Sequence, residues 1–352
     1  MIDFRYHIVS LISVFLALAV GIALGAGPLK ETIGDTLTGQ VKVLRAEKDS
    51  LRSSLDASTA ELADTNSYVA AAAPGLLAGA LTDRRVAFVA LGELSKDDEA
   101  AIEAQITAAG GSVSARVTVA TAWTDPNLSS FRQALVENLS DYVSPVPASG
   151  AGLETGLAEA LAQGLTRFDP AKPDALAEPA SILLDLLSSG DNPLITLADP
   201  VASPADAIVV VAPRAAAAGS SVTPAPQADK DTTAARVAIL RAAQDRSAGA
   251  VLADGPRVDG DLTSVILADS GLASSLTTVS STGTIAGQVS LALALNARIG
   301  GVNGHYGFGK DEVTMPVRVT LRPVDRTPQS VADTPVQPDA PRATGATPGT
   351  NG

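Results

Sequence analysis

Few side chains in this 352-residue chain are sulfur or imidazole ligands. Cysteine is absent, which removes zinc-thiolate sites, disulfides and thiol nucleophiles together. His7 and His305 are the only imidazoles, and Met1 and Met315 the only thioethers. Cu(I) prefers soft sulfur and Cu(II) prefers imidazole, so a dedicated copper site is hard to assemble within one copy. No H-E-x-x-H zinc motif, G-x-S-x-G elbow or Ser/His/Asp set can be drawn. No catalytic residue is assigned, and the chain is not expected to be an enzyme.

The nearest approach to a nucleotide loop is Gly304-His305-Tyr306-Gly307-Phe308-Gly309-Lys310, which fits G-x-x-x-x-G-K. Asp311 stands where a magnesium-binding hydroxyl belongs, a helical pattern precedes the loop and a strand-like one follows, so the order is wrong for phosphate binding. The glycines are expected to supply positive φ angles, with Tyr306 and Phe308 folding back onto the core. Open parallel sheets bind ligands at the carboxyl ends of their strands. That rule singles out Gly92-Glu93, Pro213-Arg214, Asp254-Gly255-Pro256 and Ser281-Thr282-Gly283. A weak small-ligand reading centres on Asp254 and Gly283, although Asp before Gly is first of all a turn. Asp97, Asp98 and Glu99 read as the start of a helix, where negative charge suits the dipole.

The elements that would carry these residues begin with an uncharged run, Ile8–Ala26. At ~1.5 Å per residue it spans roughly the ~30 Å of a bilayer's hydrocarbon. It exceeds the apolar core of about 7–15 residues usual in signal peptides, so an uncleaved anchor is favoured, although Ala23 and Gly25 offer a cleavage site. Arg5 on one flank and Lys30, Lys42 and Arg45 on the other leave the orientation open. Ala17, Gly21 and Gly25 recur every four residues and would let two helices pair closely in lipid.

Gly25, Gly27 and Pro28 end or kink this helix. Leu37, Val41, Leu44, Lys48, Leu51, Leu55, Ser58, Leu62, Thr65 and Val69 then alternate at spacings of four and three, a heptad seam. Arg45, Glu47, Arg52, Asp56, Glu61 and Asp64 flank it. The expected partner is another copy of the chain; the alternative is packing on the chain's own globular part. Pro74-Gly75 is expected to stop the helix.

From residue 84, short β-branched runs alternate with alanine-rich helical ones. Strands are expected at Arg85–Leu91, Val113–Val119, Ala207–Ala212, Ala250–Ala253 and Leu276–Ser280. Helices are expected around Asp97–Ala109, Leu128–Leu139, Thr232–Asp245, Leu262–Ser270 and Thr284–Arg298. This alternation is that of an α/β fold with an open, mostly parallel, doubly wound sheet. Ser144–Pro179 and Pro213–Asp231 are long interruptions, the first with a helix at Leu153–Phe168. Glu312–Leu321 reads as a last strand, placed at an edge by Pro316. The resulting division is a membrane anchor at 1–29, a coiled-coil stalk at 30–75, an α/β domain at 84–321 and a disordered Pro-rich tail at 322–352.

An apolar content of 46% suffices for a core of this size. A net charge of −13 with no basic, aromatic-rich run argues against nucleic acid as a partner.

The opening RYHIVSLISVFLALAVGIALG at Arg5–Gly25 and the late GHYGFG at Gly304–Gly309, with Met315-Pro316 after it, resemble the MctB family of copper-transport proteins. The resemblance implies an envelope protein, in the outer membrane for its best-known member, that helps to remove copper and forms pores. No cofactor is implied; copper enters as transported ion by resemblance alone. One apolar helix and buried-type strands are not the alternating ten-residue strands of an outer-membrane barrel, so a conduit would need several chains joined through helix and stalk. The competing expectation is a non-catalytic tether or assembly scaffold.

Overall fold

The computed structural model describes residues 4–26, 28–148, 150–213 and 230–329. The elements run α1 (Phe4–Ala26), α2 (Pro28–Leu77), β1 (Arg85–Ala90), α3 (Lys96–Ala108), β2 (Ser112–Val119), α4 (Ser129–Leu139), α5 (Leu153–Thr166), β3 (Phe168–Asp169) and β4 (Lys172–Leu176). They continue with α6 (Glu178–Ser188), β5 (Ile195–Leu197), β6 (Ala207–Val211), α7 (Lys230–Arg246), β7 (Ala250–Ala253), α8 (Leu262–Ala268), α9 (Ser270–Ser275), β8 (Thr277–Val279), α10 (Ile285–Ile299) and β9 (His305–Tyr306). The chain divides into two compact units at Tyr68/Val69.

In the first unit, α1 is apolar and exposed along its described length, with a span at Phe4–Gly25 long enough to cross a bilayer. Proline at the first position of α2 fits there, because that N–H has no helical acceptor to lose.

The second unit is a seven-stranded sheet in the order β5-β2-β1-β6-β7-β8-β9, parallel except for β5. This is the expected α/β class. Successive residues of the central strands face opposite cores. Ala87 and Val89 of β1, Ile208 and Val210 of β6 and Leu252 of β7 point to one layer, which includes α5, α6 and α7. Val86 and Phe88, Val209 and Val211, and Val251 point to the other, with α3, α10 and the end of α2. Strands buried on both faces must be apolar at every position, which is why β6 reads AIVVV.

Four expectations change. The α2 helix continues through Pro74 to Leu77. Burial of Ala73 and Leu77 in the second core holds those turns despite the amide hydrogen that proline lacks, and the Arg318 guanidinium donates to the Leu76 and Ala78 carbonyls at the helix end. The interruption at Ser144–Pro179 holds more than the helix expected at Leu153–Phe168, which forms as α5: the β3–β4 hairpin lies within it and α6 begins at its end.

Glu312–Leu321 is not a strand. Only Val313 makes a bridge, to Tyr306, while the buried Asn296 side chain donates to Val319 O and accepts from Val319 N, occupying groups that a sheet would have used. Residues 322–329, placed in the tail, make contacts in the second unit. Arg84 donates to Arg322 O, Arg326 pairs with Asp206 at 2.6 Å, and Gln329 N donates to Pro170 O. Most of Pro213–Asp231, and the tail from 330, lie outside the described residues.

Candidate functional site

The strand order reverses between β1 and β6, and in such sheets the crevice forms there, outside the carboxyl ends. A cavity of about 220 Å³ occupies that place, lined by Leu91 and Gly92 after β1, Ala120 and Trp123 after β2, Pro213 after β6 and Ile239 of α7. The expected position Gly92 therefore reaches a cavity; Arg214 lies outside the described residues. Trp123 is fully buried and its indole N–H closes no hydrogen bond of ordinary geometry. Glu154 at the start of α5 is near enough to the indole for the two to interact. Burial raises this carboxyl above its usual range, against the opposing pull of Arg132 and Trp123.

Asp254, at the end of β7, is buried and fully engaged. Its carboxylate accepts from Gly255 N at 2.8 Å and from both N and Oγ1 of Thr263 at 3.1 and 2.8 Å. It ties the strand to the first turn of α8, where N–H groups lack helical partners. Burial raises its pKa, and the Thr263 and Gly255 bonds oppose that rise. The carboxylate is thus used as a staple. Asp97, Asp98 and Glu99 do open a helix, capped by Ser95 accepting from Asp98 N.

The loop at Gly304–Gly309 closes around a carboxylate that sequence reasoning missed. The Glu312 side chain is wholly buried and accepts from Ser280 Oγ at 2.9 Å and Gly309 N at 2.7 Å. Arg257 approaches it at 3.2 Å. A Cβ on Gly307, whose φ is +153°, would lie 2.0 Å from Ser280 Oγ and 2.4 Å from Glu312 Oε2. A Cβ on Gly304 would strike the Tyr306 hydroxyl at 2.4 Å. Glycine is needed here for close approach as well as for φ. The resemblance to a phosphate loop ends at that point, because the chain's own carboxylate already fills the anion position.

Tyr306 packs in the core as expected, whereas Phe308 is exposed. His305 has both ring nitrogens committed, Nδ1 to Thr278 Oγ1 at 2.9 Å and Nε2 to Ala273 O at 3.0 Å. A carbonyl only accepts, so Nε2 carries a hydrogen, and in the neutral ring Nδ1 accepts from the threonine hydroxyl. Burial lowers its pKa. Met315 is half exposed, and no group of three or more His, Cys, Asp or Glu side chains suited to a metal occurs among the described residues.

In the first unit the expected residues stand on α1 and α2 as the spacing requires. A Cβ built on Gly21 or Gly25 meets nothing within 4 Å, so this chain's own packing does not demand glycine there. Leu37, Val41, Leu44, Leu51, Leu55 and Leu62 are all exposed on α2. Val69, the last residue of the seam, instead packs against the second core of its own domain.

The whole layout, from anchor to loop, recurs in known proteins. Copper transporter MctB of Mycobacterium tuberculosis (strain ATCC 25618 / H37Rv) is 28% identical over 329 residues, covering 90% of this chain and 99% of that one. The Mycobacterium bovis protein of the same name matches equally, and that of Mycobacterium leprae is 25% identical over 331 residues, with the same coverage. The model for "Copper transport outer membrane protein, MctB" matches residues 1–317, so α1, α2 and the sheet unit are matched together and the chain belongs to the MctB family.

Proposed function

We propose that this chain is a membrane-anchored envelope component of copper transport that helps to remove copper from the cell, held in the outer membrane by α1 with its α/β unit exported. The observation that carries the reading is the match over residues 1–317 to a family described as copper transport outer membrane proteins. Copper is cargo here. The only imidazole of the second unit is closed by Thr278 and Ala273, so the fold offers no ready resident copper site at that position. A single span cannot enclose an aqueous path, and conduction therefore calls for more than one copy. Deleting the gene and measuring cell-associated copper under copper load tests this: accumulation should rise, and an unchanged content overturns it.

A second reading, a non-catalytic tether or scaffold, is favoured by the exposed stripe on α2. Replacing Leu44, Leu51 and Leu55 together by Ser should then abolish self-association. If those variants lose association while copper content stays normal, assembly serves a role other than transport.

A further inference from the structure

The apolar stripe on α2 runs from Leu37 to Leu62 with its leucines and Val41 between 41 and 72% exposed, and then passes into the domain's own core at Val69. Upstream, the positions that would continue the stripe are Lys30 and Gly34, so it begins at Leu37. We propose that residues 37–62 form a parallel, in-register, two-stranded coiled coil with a second copy of this chain, its register set by Glu47, Lys48 and Arg52.

The heptad phase follows from the spacing. Leu37, Leu44, Leu51 and Ser58 fall at d, and Val41, Lys48, Leu55 and Leu62 at a. Leucine at d with a single lysine among the a residues suits two strands. In a dimer the lysine stem can lie along the interface and lift its ammonium to water, whereas the closed a layer of a trimer or tetramer would bury the charge.

Charge fixes the direction. With Lys48 at a, Glu47 is at g and Arg52 is the e residue five positions on. Parallel, in-register helices oppose g of one copy to that e of the other, so two symmetric Glu47–Arg52 pairs form, and Glu47 also borders the partner's Lys48. Antiparallel helices match g with g and e with e, which leaves Glu47 without Arg52. Copies anchored by α1 in one membrane face the same way, so orientation agrees with charge. Confinement there also raises effective concentration for a seam interrupted at Lys48 and Ser58.

The proposal goes beyond the copper reading and rests on the exposed stripe and its flanking charges, with the anchor supplying orientation and confinement. Because the chain has no cysteine, single-cysteine variants report contacts cleanly. Full-length protein in its own membranes, mildly oxidised, should give disulfide-linked dimer from Leu44→Cys and Leu51→Cys at least about tenfold above Ser53→Cys, which lies on the opposite face. Glu47→Lys should weaken association about tenfold, and adding Arg52→Glu should restore it. Light scattering of the unmodified chain in detergent should give twice the monomer mass.

Equal cross-linking at Ser53, a charge swap that fails to restore, or a mass of three or more copies overturns the proposal. Cross-linking is read without copper. Its failure leaves the transport reading standing, and normal copper in a deletion strain leaves the coil standing.

Discussion

Leu51 and Leu77 sit on one helix and differ in what surrounds them: Leu51 is 72% exposed, whereas Leu77 is fully buried. The same contrast separates the two glycines of the α1 stripe from those of the late loop. Gly21 and Gly25 have open space where a Cβ would go, while Gly304, Gly307 and Gly309 have another side chain within 3 Å. The lesson is that residues of one chemical type answer to different partners. In the second unit the chain supplies them itself; in the first, on the dimer proposed above, a second copy supplies them. Mutations should therefore affect folding in one region and association in the other.

The largest break should come at Gly307. Alanine there meets Ser280 Oγ and Glu312 Oε2 and holds a strained φ, which together should cost about 4 kcal/mol in urea unfolding of the α/β unit. Gly21→Ala should leave that transition unchanged. Next is Leu77→Ala, expected to cost about 3 kcal/mol through the cavity left in the second core. Leu51→Ala should move the same transition by less than about 0.5 kcal/mol while weakening dimer cross-linking. Equal losses at both leucines would remove the distinction.

Asp254→Asn is a smaller test within the buried region. The carboxylate accepts three hydrogen bonds through two oxygens. An amide must turn a donor toward either Gly255 N–H or Thr263 N–H, leaving one buried N–H unmatched. A loss of about 2 kcal/mol is expected, with no change in association. A neutral or stabilising result would mean that desolvation of the charge, which raises its pKa, outweighs the bonds it accepts.

How much of this could be read from sequence depended on periodicity. β1, β2, β6, β7 and β8 appear within a residue or two of their expected bounds: β1, β6 and β7 because strands buried on both faces are near-continuous apolar runs, β2 and β8 through their β-branched Val and Thr residues. β5, with three residues, and the hairpin with Pro173 have no pattern long enough to register. The α6 spacing of Ala180, Leu183, Leu184 and Leu187 is legible but falls between the interruption at Ser144–Pro179 and the strand expected at Ala207, a stretch for which no element is expected. Glu312 was not legible: beside Lys310 and Asp311 it looks like one more solvated charge. The available signal was the three glycines ahead of it, which mark close packing around some side chain without naming it.

The smallest effect should be the pH response of His305, and its sign distinguishes it from Asp254. The folded histidine has a lowered pKa, so the unfolded chain binds the proton more readily. Its contribution is fully present above about pH 6.5, the ordinary value, and is lost as pH falls through the folded one. The raised pKa of Asp254 acts oppositely, adding stability that is present below its ordinary value of about 3.9 and lost as pH rises through the folded one. Between neutrality and pH 5 the histidine should therefore make the α/β unit progressively less stable on acidification. His305→Gln keeps a donor for the Ala273 carbonyl and should flatten that slope. Dimer cross-linking through Leu44→Cys should not follow it, since no histidine lies on residues 37–62. If cross-linking fell in parallel with unfolding, the two regions would be coupled and the contrast between Leu51 and Leu77 would be one of degree.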